Sequence, residues 1–80
     1  MFGTRHEEVC DVDVVLRSSY IGKNEQAVAS LRRNGLEVNG VDDSNGVVSG
    51  TIAADRIDDI RQLACVGDLR VKLTYVAEVR

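Results

Sequence analysis

Residues 9–17 read VCDVDVVLR, and the alternation within this stretch decides the fold. Every second position from residue 12 onward is apolar: Val12, Val14 and Leu16. Successive side chains of a β-strand point to opposite faces, so a period of two predicts a strand with one buried face. The rest of the chain is interpreted as elements that pair with this first strand or cover it.

A helix and a hairpin are predicted downstream of the first strand. The helix begins at Asn24, which we expect to cap it, and ends at Gly35, which supplies a left-handed residue. Strand two is predicted over residues 36–41 and strand three over residues 47–52. Between them, residues 42–46 read DDSNG, which is typical of a hairpin turn.

A second helix and a fourth strand complete the pattern. Asp55 is the predicted cap of this helix, which stops near Gly67. Apolar side chains then alternate with polar ones and predict an amphipathic strand that extends toward the C-terminus: Leu69, Val71, Leu73 and Tyr75.

The order strand, helix, strand, strand, helix, strand predicts the fold class. Right-handed crossovers place both helices on one face of a four-stranded antiparallel sheet, with strands one and three in the middle. We therefore expect an α+β domain of the ferredoxin-like βαββαβ type over residues 9–80. Residues 1–8 are charged and have no period, so we expect a flexible N-terminal arm. The uncovered face of the sheet is the expected binding surface.

Composition narrows the classes of partner. The 80 residues are 44% hydrophobic and carry a net charge of −3, with the basic residues scattered along the chain. This balance indicates a globular domain and argues against a nucleic-acid partner. Apolar runs are far shorter than the roughly 20 residues that span a bilayer, so we expect no membrane partner and a cytoplasmic location.

The sequence offers no catalytic set, so we expect a protein that is not an enzyme. Its one histidine, His6, lies in the predicted arm. Cys10 and Cys65 have no second cysteine or histidine at ligand spacing, which predicts buried or half-buried free thiols and no metal site. The aspartates are accounted for by caps, turns and exposed strand positions. We also expect no cofactor.

Several stretches resemble a known family. Residues 45–52 (NGVVSGTI), 55–63 (DRIDDIRQL) and 66–69 (VGDL) are similar to the subtilisin-propeptide-like protease inhibitor family. The shared pattern is an Asn-Gly-apolar strand, a helix of the type acid-x-apolar-x-x-apolar-x-x-Leu, and a short turn into the last strand. Further similar stretches are VVL, AVASL and GLEV at residues 14–16, 27–31 and 35–38.

The resemblance implies a stand-alone inhibitor or intramolecular chaperone of subtilisin-like serine proteases. In that family the open sheet face packs on the protease, and the C-terminal tail lies in the active-site cleft like a cleaved product. By position, the tail of this chain would be Ala77, Glu78, Val79 and Arg80. An Arg80 in the primary specificity pocket would suit a protease that cleaves after basic residues.

A second interpretation is a small ligand-binding or assembly domain of ferredoxin-like fold that forms a homodimer through its sheet. The two hypotheses differ at the C-terminus. An inhibitor needs residues 77–80 to be extended and flexible, whereas an assembly domain would order them against its own sheet or a second subunit.

Overall fold

The chain forms an α+β structure with an open, four-stranded antiparallel sheet and two helices. The computed structural model describes residues 5–79. Its main elements are β1 (Arg5–Leu16), α1 (Asn24–Arg33), β2 (Glu37–Asp42), β3 (Val47–Ala53), α2 (Ile57–Arg61) and β4 (Val66–Val79). Short 3₁₀-helices occur at Ser18–Tyr20 and Ala54–Arg56.

The strands lie in the order β2-β3-β1-β4. β1 pairs with β3 on one side and with β4 on the other, and β2 pairs with β3. Strands β1 and β3 are therefore central, while β2 and β4 form the two edges. The longest helix in residues 5–79 is α1, whose ten residues are too few to cross a bilayer.

The core lies on one face of the sheet. The alternation predicted for β1 is confirmed, since its buried side chains are Cys10, Val12, Val14 and Leu16. Ala27 and Leu31 of α1 and Ile60 of α2 belong to the same buried cluster. Removing each large aliphatic side chain from water contributes about 1.5–3 kcal/mol, so this single layer of contacts holds both helices to the sheet.

Both cysteines are buried free thiols, as predicted. Cys10 lies in β1, and its Sγ is 3.4 Å from Oγ1 of Thr74 in β4. Cys65 directly precedes β4, and burial raises the pKa of its thiol above the usual 9.0. The two side chains therefore act as small apolar groups in the core.

The turns that follow α1 and β2 agree with the sequence prediction. Gly35 ends α1 at a φ of +102°, and its N–H donates to the carbonyl of Arg32 at 3.1 Å. In the hairpin turn, Gly46 has a φ of +65°. Asn45 donates two hydrogen bonds to the carboxylate of Asp42, which hold the pKa of Asp42 below its usual value of 3.8.

Both predicted helix caps are wrong. Asn24 is the first residue of α1 instead of the residue before it, and its side-chain amide donates to the carboxylate of Asp43. Asp55 lies inside the 3₁₀-helix, and α2 begins at Ile57 and has only five residues. A polar residue followed by apolar ones is common to caps, 3₁₀-helices and first helical turns, so the pattern alone does not separate them.

Strand β1 begins earlier than predicted, so the prediction of an arm is wrong for residues 5–8. These residues are part of β1 and pair with residues 76–79 of β4. Backbone hydrogen bonds to a neighbouring strand do not require apolar side chains, which is why a charged stretch without a period is able to form a strand. The remaining arm residues, 1–4, lie outside the described residues.

Candidate functional site: the free edge of strand β4

A β-bulge divides strand β4 into two parts. Before the bulge Leu69 lies opposite Val14 of β1, and after it Leu73 lies opposite Asp11, with Lys72 as the additional residue. Directly opposed residues share a face of the sheet, so Leu69 packs in the core whereas Leu73 lies on the face away from the helices. The prediction of one continuous amphipathic alternation along strand four is therefore wrong, because the bulge reverses the faces.

The part of β4 after the bulge is mostly apolar in sequence, and its first four residues, 73–76, are exposed. Residues 73–79 read LTYVAEV and contain one charged residue, Glu78. The exposed fractions are 55% for Leu73, 40% for Tyr75 and 62% for Val76. Such β-branched and aromatic residues favour strands, and the outer N–H and C=O groups of an edge strand are free to pair. We call residues 73–79 the β4 edge segment.

The other free edges of the sheet differ from the β4 edge segment. Strand β2 has six residues, a register shift between Val38 and Gly40, and acidic residues at both ends. The outer edge of β1 is free at residues 5–8, beyond its last pair with β3, and this stretch reads RHEE. Charges, short strands and bulges are the features that prevent edge-to-edge pairing in natural sheets. The β4 edge segment is seven residues long, carries a single charge at Glu78 and contains no bulge.

Four of the seven residues in the β4 edge segment belong to a two-stranded ribbon. Pairing between β1 and β3 stops at Val9, whereas pairing between β1 and β4 continues to Arg5. Residues 5–8 and 76–79 thus extend beyond β3, and the molecule measures 49 × 20 × 18 Å. A two-stranded antiparallel ribbon is marginally stable by itself in water, so a further strand beside it would stabilise it.

A network on the open face anchors the bulge. The Ser49 hydroxyl of β3 donates to the Asp13 carboxylate of β1 at 2.7 Å, and Lys72 Nζ lies 3.2 Å from the same carboxylate oxygen. The Ser49 hydrogen bond, followed by the contact with Lys72, holds the pKa of Asp13 below its usual 3.8 although partial burial opposes this. The network joins three strands and fixes the point where the β4 edge segment begins.

The predicted protease-binding tail falls on this ribbon. Ala77, Glu78 and Val79 are part of β4 and lie opposite Glu7, His6 and Arg5 of β1, whereas Arg80 lies outside the described residues. Three of the four tail positions are therefore ordered against the chain's own sheet. This is the arrangement that the assembly hypothesis expects at the C-terminus.

A second surface lies at the opposite side of the sheet. A groove of about 350 Å³ between α1 and β2 is lined by Asn24, Glu25, Val28, Ala29, Arg32, Val41 and Asp43. Its volume is within the range of small-molecule sites, about 300–1,000 Å³. Because β2 and β4 are opposite edges of the sheet, this groove is separate from the β4 edge segment.

Leu73, Tyr75 and Val76 were not among the site residues predicted from the sequence. Their apolar character is visible in the sequence, but their exposure follows from the bulge and from the position of β4 in the sheet. One sequence signal separates the two parts of the strand. Residues 73–79 contain no lysine or arginine, whereas three of the five residues 68–72 are charged.

Comparison with known proteins assigns no function to this site. No family model matches the chain, and no match was found among curated proteins or solved structures.

Proposed function

We propose that this chain is a non-enzymatic protein-binding module of ferredoxin-like fold, in which the β4 edge segment accepts an extended strand from a partner protein. One observation carries the proposal: residues 73–79 combine an unpaired strand edge with a regular backbone after the bulge, and Leu73, Tyr75 and Val76 expose apolar side chains along it. In strand addition, main-chain hydrogen bonds supply affinity and alternate side chains supply specificity.

The ferredoxin-like class is supported by the succession of elements and by the position of the strands. β1 and β3 are central, each helix connects two strands, and both helices contribute to one core. In such an arrangement β4 is an edge strand beside β1, which leaves its outer side available to a partner.

The partner strand is expected to be apolar at alternate positions. Leu73 and Tyr75 lie opposite Asp11 and Val9 of β1, on the face away from the helices. Apolar or aromatic side chains of the added strand would pack against them there, and each such cross-strand pair contributes about 0.2–1 kcal/mol. A strongly charged segment would lose these contacts.

Selection from a displayed library of random twelve-residue peptides tests the proposal and requires no identified partner. The protein is immobilised sparsely, and bound peptides are sequenced. We expect enrichment of peptides with alternating apolar residues and loss of their binding in Val76→Lys, because a lysine on an edge strand opposes pairing. Val41→Lys is the matched control, since Val41 is 43% exposed on the opposite edge strand β2.

Retention of peptide binding in Val76→Lys, or its loss in Val41→Lys, would place the binding surface elsewhere and refute the proposal. Circular dichroism of both variants shows whether they keep the fold. Since Val76 and Val41 are both exposed, we expect the two substitutions to leave the core intact.

The inhibitor function that the family resemblance implies stays a prediction, as does the cytoplasmic location. Residues 77–79 pair with β1, so they would have to leave that strand to enter a protease cleft. Deletion of residues 77–80, followed by inhibition assays with subtilisin and trypsin, tests this function. Inhibition by the full chain that disappears on deletion would support it.

A further inference from the structure

We propose that the strand accepted by the β4 edge segment is the same segment of a second copy, aligned antiparallel about a two-fold axis at Val76. This inference rests on the proposed function, because it names the partner for the same surface. Its basis is the self-complementarity of residues 73–79 and the ribbon that the second copy would complete.

The geometry of antiparallel pairing limits where such an axis is able to lie. Opposed residues alternate between hydrogen-bonded pairs and non-hydrogen-bonded pairs. Along one strand, the backbone N–H and C=O groups of successive residues point alternately toward the second copy and away from it. An axis midway between two residues would therefore oppose a residue whose groups point toward the partner with a residue whose groups point away. The two-fold axis of a β4–β4 pair must therefore pass through a residue that lies opposite its own copy.

An axis at Val76 gives the longest pairing that avoids the bulge. The regular part of β4 begins at Leu73, after the bulged Lys72, and ends at Val79, so Val76 is its middle residue. The opposed positions are then Leu73 with Val79, Thr74 with Glu78, Tyr75 with Ala77, and Val76 with itself. Within residues 73–79 no like charges are opposed in this register, and apolar positions lie opposite apolar positions; beyond this segment the register opposes Lys72 with Arg80.

Axes nearer the bulge are disfavoured by charge. An axis at Val71 would oppose Arg70 with Lys72. An axis at Lys72 would oppose the two copies of Lys72, and an axis at Leu73 would oppose Asp68 with Glu78. Like charges directly opposite each other destabilise a strand pair. An axis at Thr74 would pair only the three residues 73–75 without including the bulged Lys72. An axis at Tyr75 would pair five, residues 73–77.

A second copy would also stabilise the two-stranded ribbon of residues 5–8 and 76–79. In the Val76 register, residues 77–79 of one copy lie beside residues 73–75 of the other, which are backed by residues 9–11 of β1. The two ribbons become a four-stranded arrangement in the order β1-β4-β4-β1. Sheets of three or more strands are stable where isolated two-stranded ribbons are not, so each copy supports the exposed end of its partner.

Disulfide cross-linking tests both the partner and the register. In Val76→Cys the two introduced thiols lie on opposed residues, whose Cα atoms are about 4.5–5.5 Å apart, within the range that a disulfide spans. In the control Leu73→Cys the two copies of residue 73 are six positions apart, about 20 Å at 3.3 Å per residue. Mild oxidation should link Val76→Cys into a dimer at least about tenfold faster than Leu73→Cys.

The native cysteines are buried, and the wild-type chain serves as the background control for cross-linking. Mass spectrometry after digestion identifies the linked residues. Preferential linkage of Leu73→Cys, or equal rates for the two variants, would overturn the register and with it the inference.

Sedimentation equilibrium separates this inference from the proposed function. We expect a monomer–dimer equilibrium whose dissociation constant rises at least about tenfold in Val76→Lys and stays unchanged in Val41→Lys. A wild-type chain that stays monomeric up to about 1 mM but selects peptides through the β4 edge segment would overturn the second copy as partner and leave the proposed function standing. A wild-type chain that neither dimerises nor selects peptides through the β4 edge segment would refute both this inference and the proposed function.

Discussion

Asp13 connects three strands through a single carboxylate. It accepts a hydrogen bond from Ser49 and lies beside Lys72, and its side chain is 30% exposed. Because these partners favour the charged carboxylate, its pKa is lower in the folded chain than the usual 3.8 of an unfolded aspartate. The stabilisation is therefore fully present above about pH 4 and is lost as the pH falls through the folded-state pKa.

Asp13→Asn should weaken the fold at neutral pH and flatten its response to acid. We expect a loss of about 1 kcal/mol at pH 7, the order of one partly exposed charged hydrogen bond, and a smaller loss at pH 3. Urea denaturation at the two pH values measures both. Asp11→Asn is the control, because it removes the same charge two residues away on the same face. An equal effect of the two substitutions would contradict the role assigned to Asp13.

Close approach between β2 and β3 requires a glycine within the sheet. Gly50 of β3 lies opposite Val38, and a Cβ there would overlap the backbone carbonyl oxygen of Glu37 and lie 3.1 Å from Cδ1 of Leu36. Gly40 of β2 differs, since a Cβ at that position would meet no atom within 4 Å. Of these two glycines, Gly50 is therefore the one that close packing between β2 and β3 requires.

Gly50→Ala should destabilise the protein, and Gly40→Ala should not. The backbone of β2 would have to shift to admit the Cβ at position 50, at a cost of about 1–3 kcal/mol. At Gly40 the added methyl group reduces the freedom of the unfolded chain, which stabilises by about 0.4–1 kcal/mol. Thermal unfolding of the two variants measures the difference. Equal melting temperatures would show that β2 and β3 are less closely packed than described.

At the scale of the whole molecule, the chain consists of a packed body and a projecting ribbon. The radius of gyration is 13.4 Å, whereas a compact chain of this length has about 12 Å. The helices cover the part of the sheet in which all four strands lie side by side, and the ribbon of β1 and β4 extends past it.

The two parts should differ in local stability. In the monomeric state, amides of residues 76–79 should exchange with solvent at least about tenfold faster than amides of residues 12–15, which lie in the central strand. Hydrogen exchange of Val76→Lys, followed by mass spectrometry or NMR, measures this ratio. Equal exchange rates for residues 76–79 and residues 12–15 would contradict this expectation, because they would show that the ribbon unfolds only together with the packed body.

The local parts of the fold were predictable from the sequence. The period of two in β1, the left-handed Gly35 and the Asn-Gly turn at residues 45–46 depend on side chains within a few residues of one another. The short length of α2 and the start of β1 at Arg5 were not predictable in this way. The start of β1 depends on pairing with residues 76–79, which are distant in the sequence.

By itself, the sequence determined which residues form the core side of β1 and where the chain turns, because strand period and backbone freedom are local properties. Only the tertiary structure decided which part of β4 is exposed. The bulge at Lys72 is defined by pairing with a strand some 60 residues away, and it turns Leu73 and Tyr75 to the face away from the helices. A candidate site that depends on strand register is therefore decided by the partner strand.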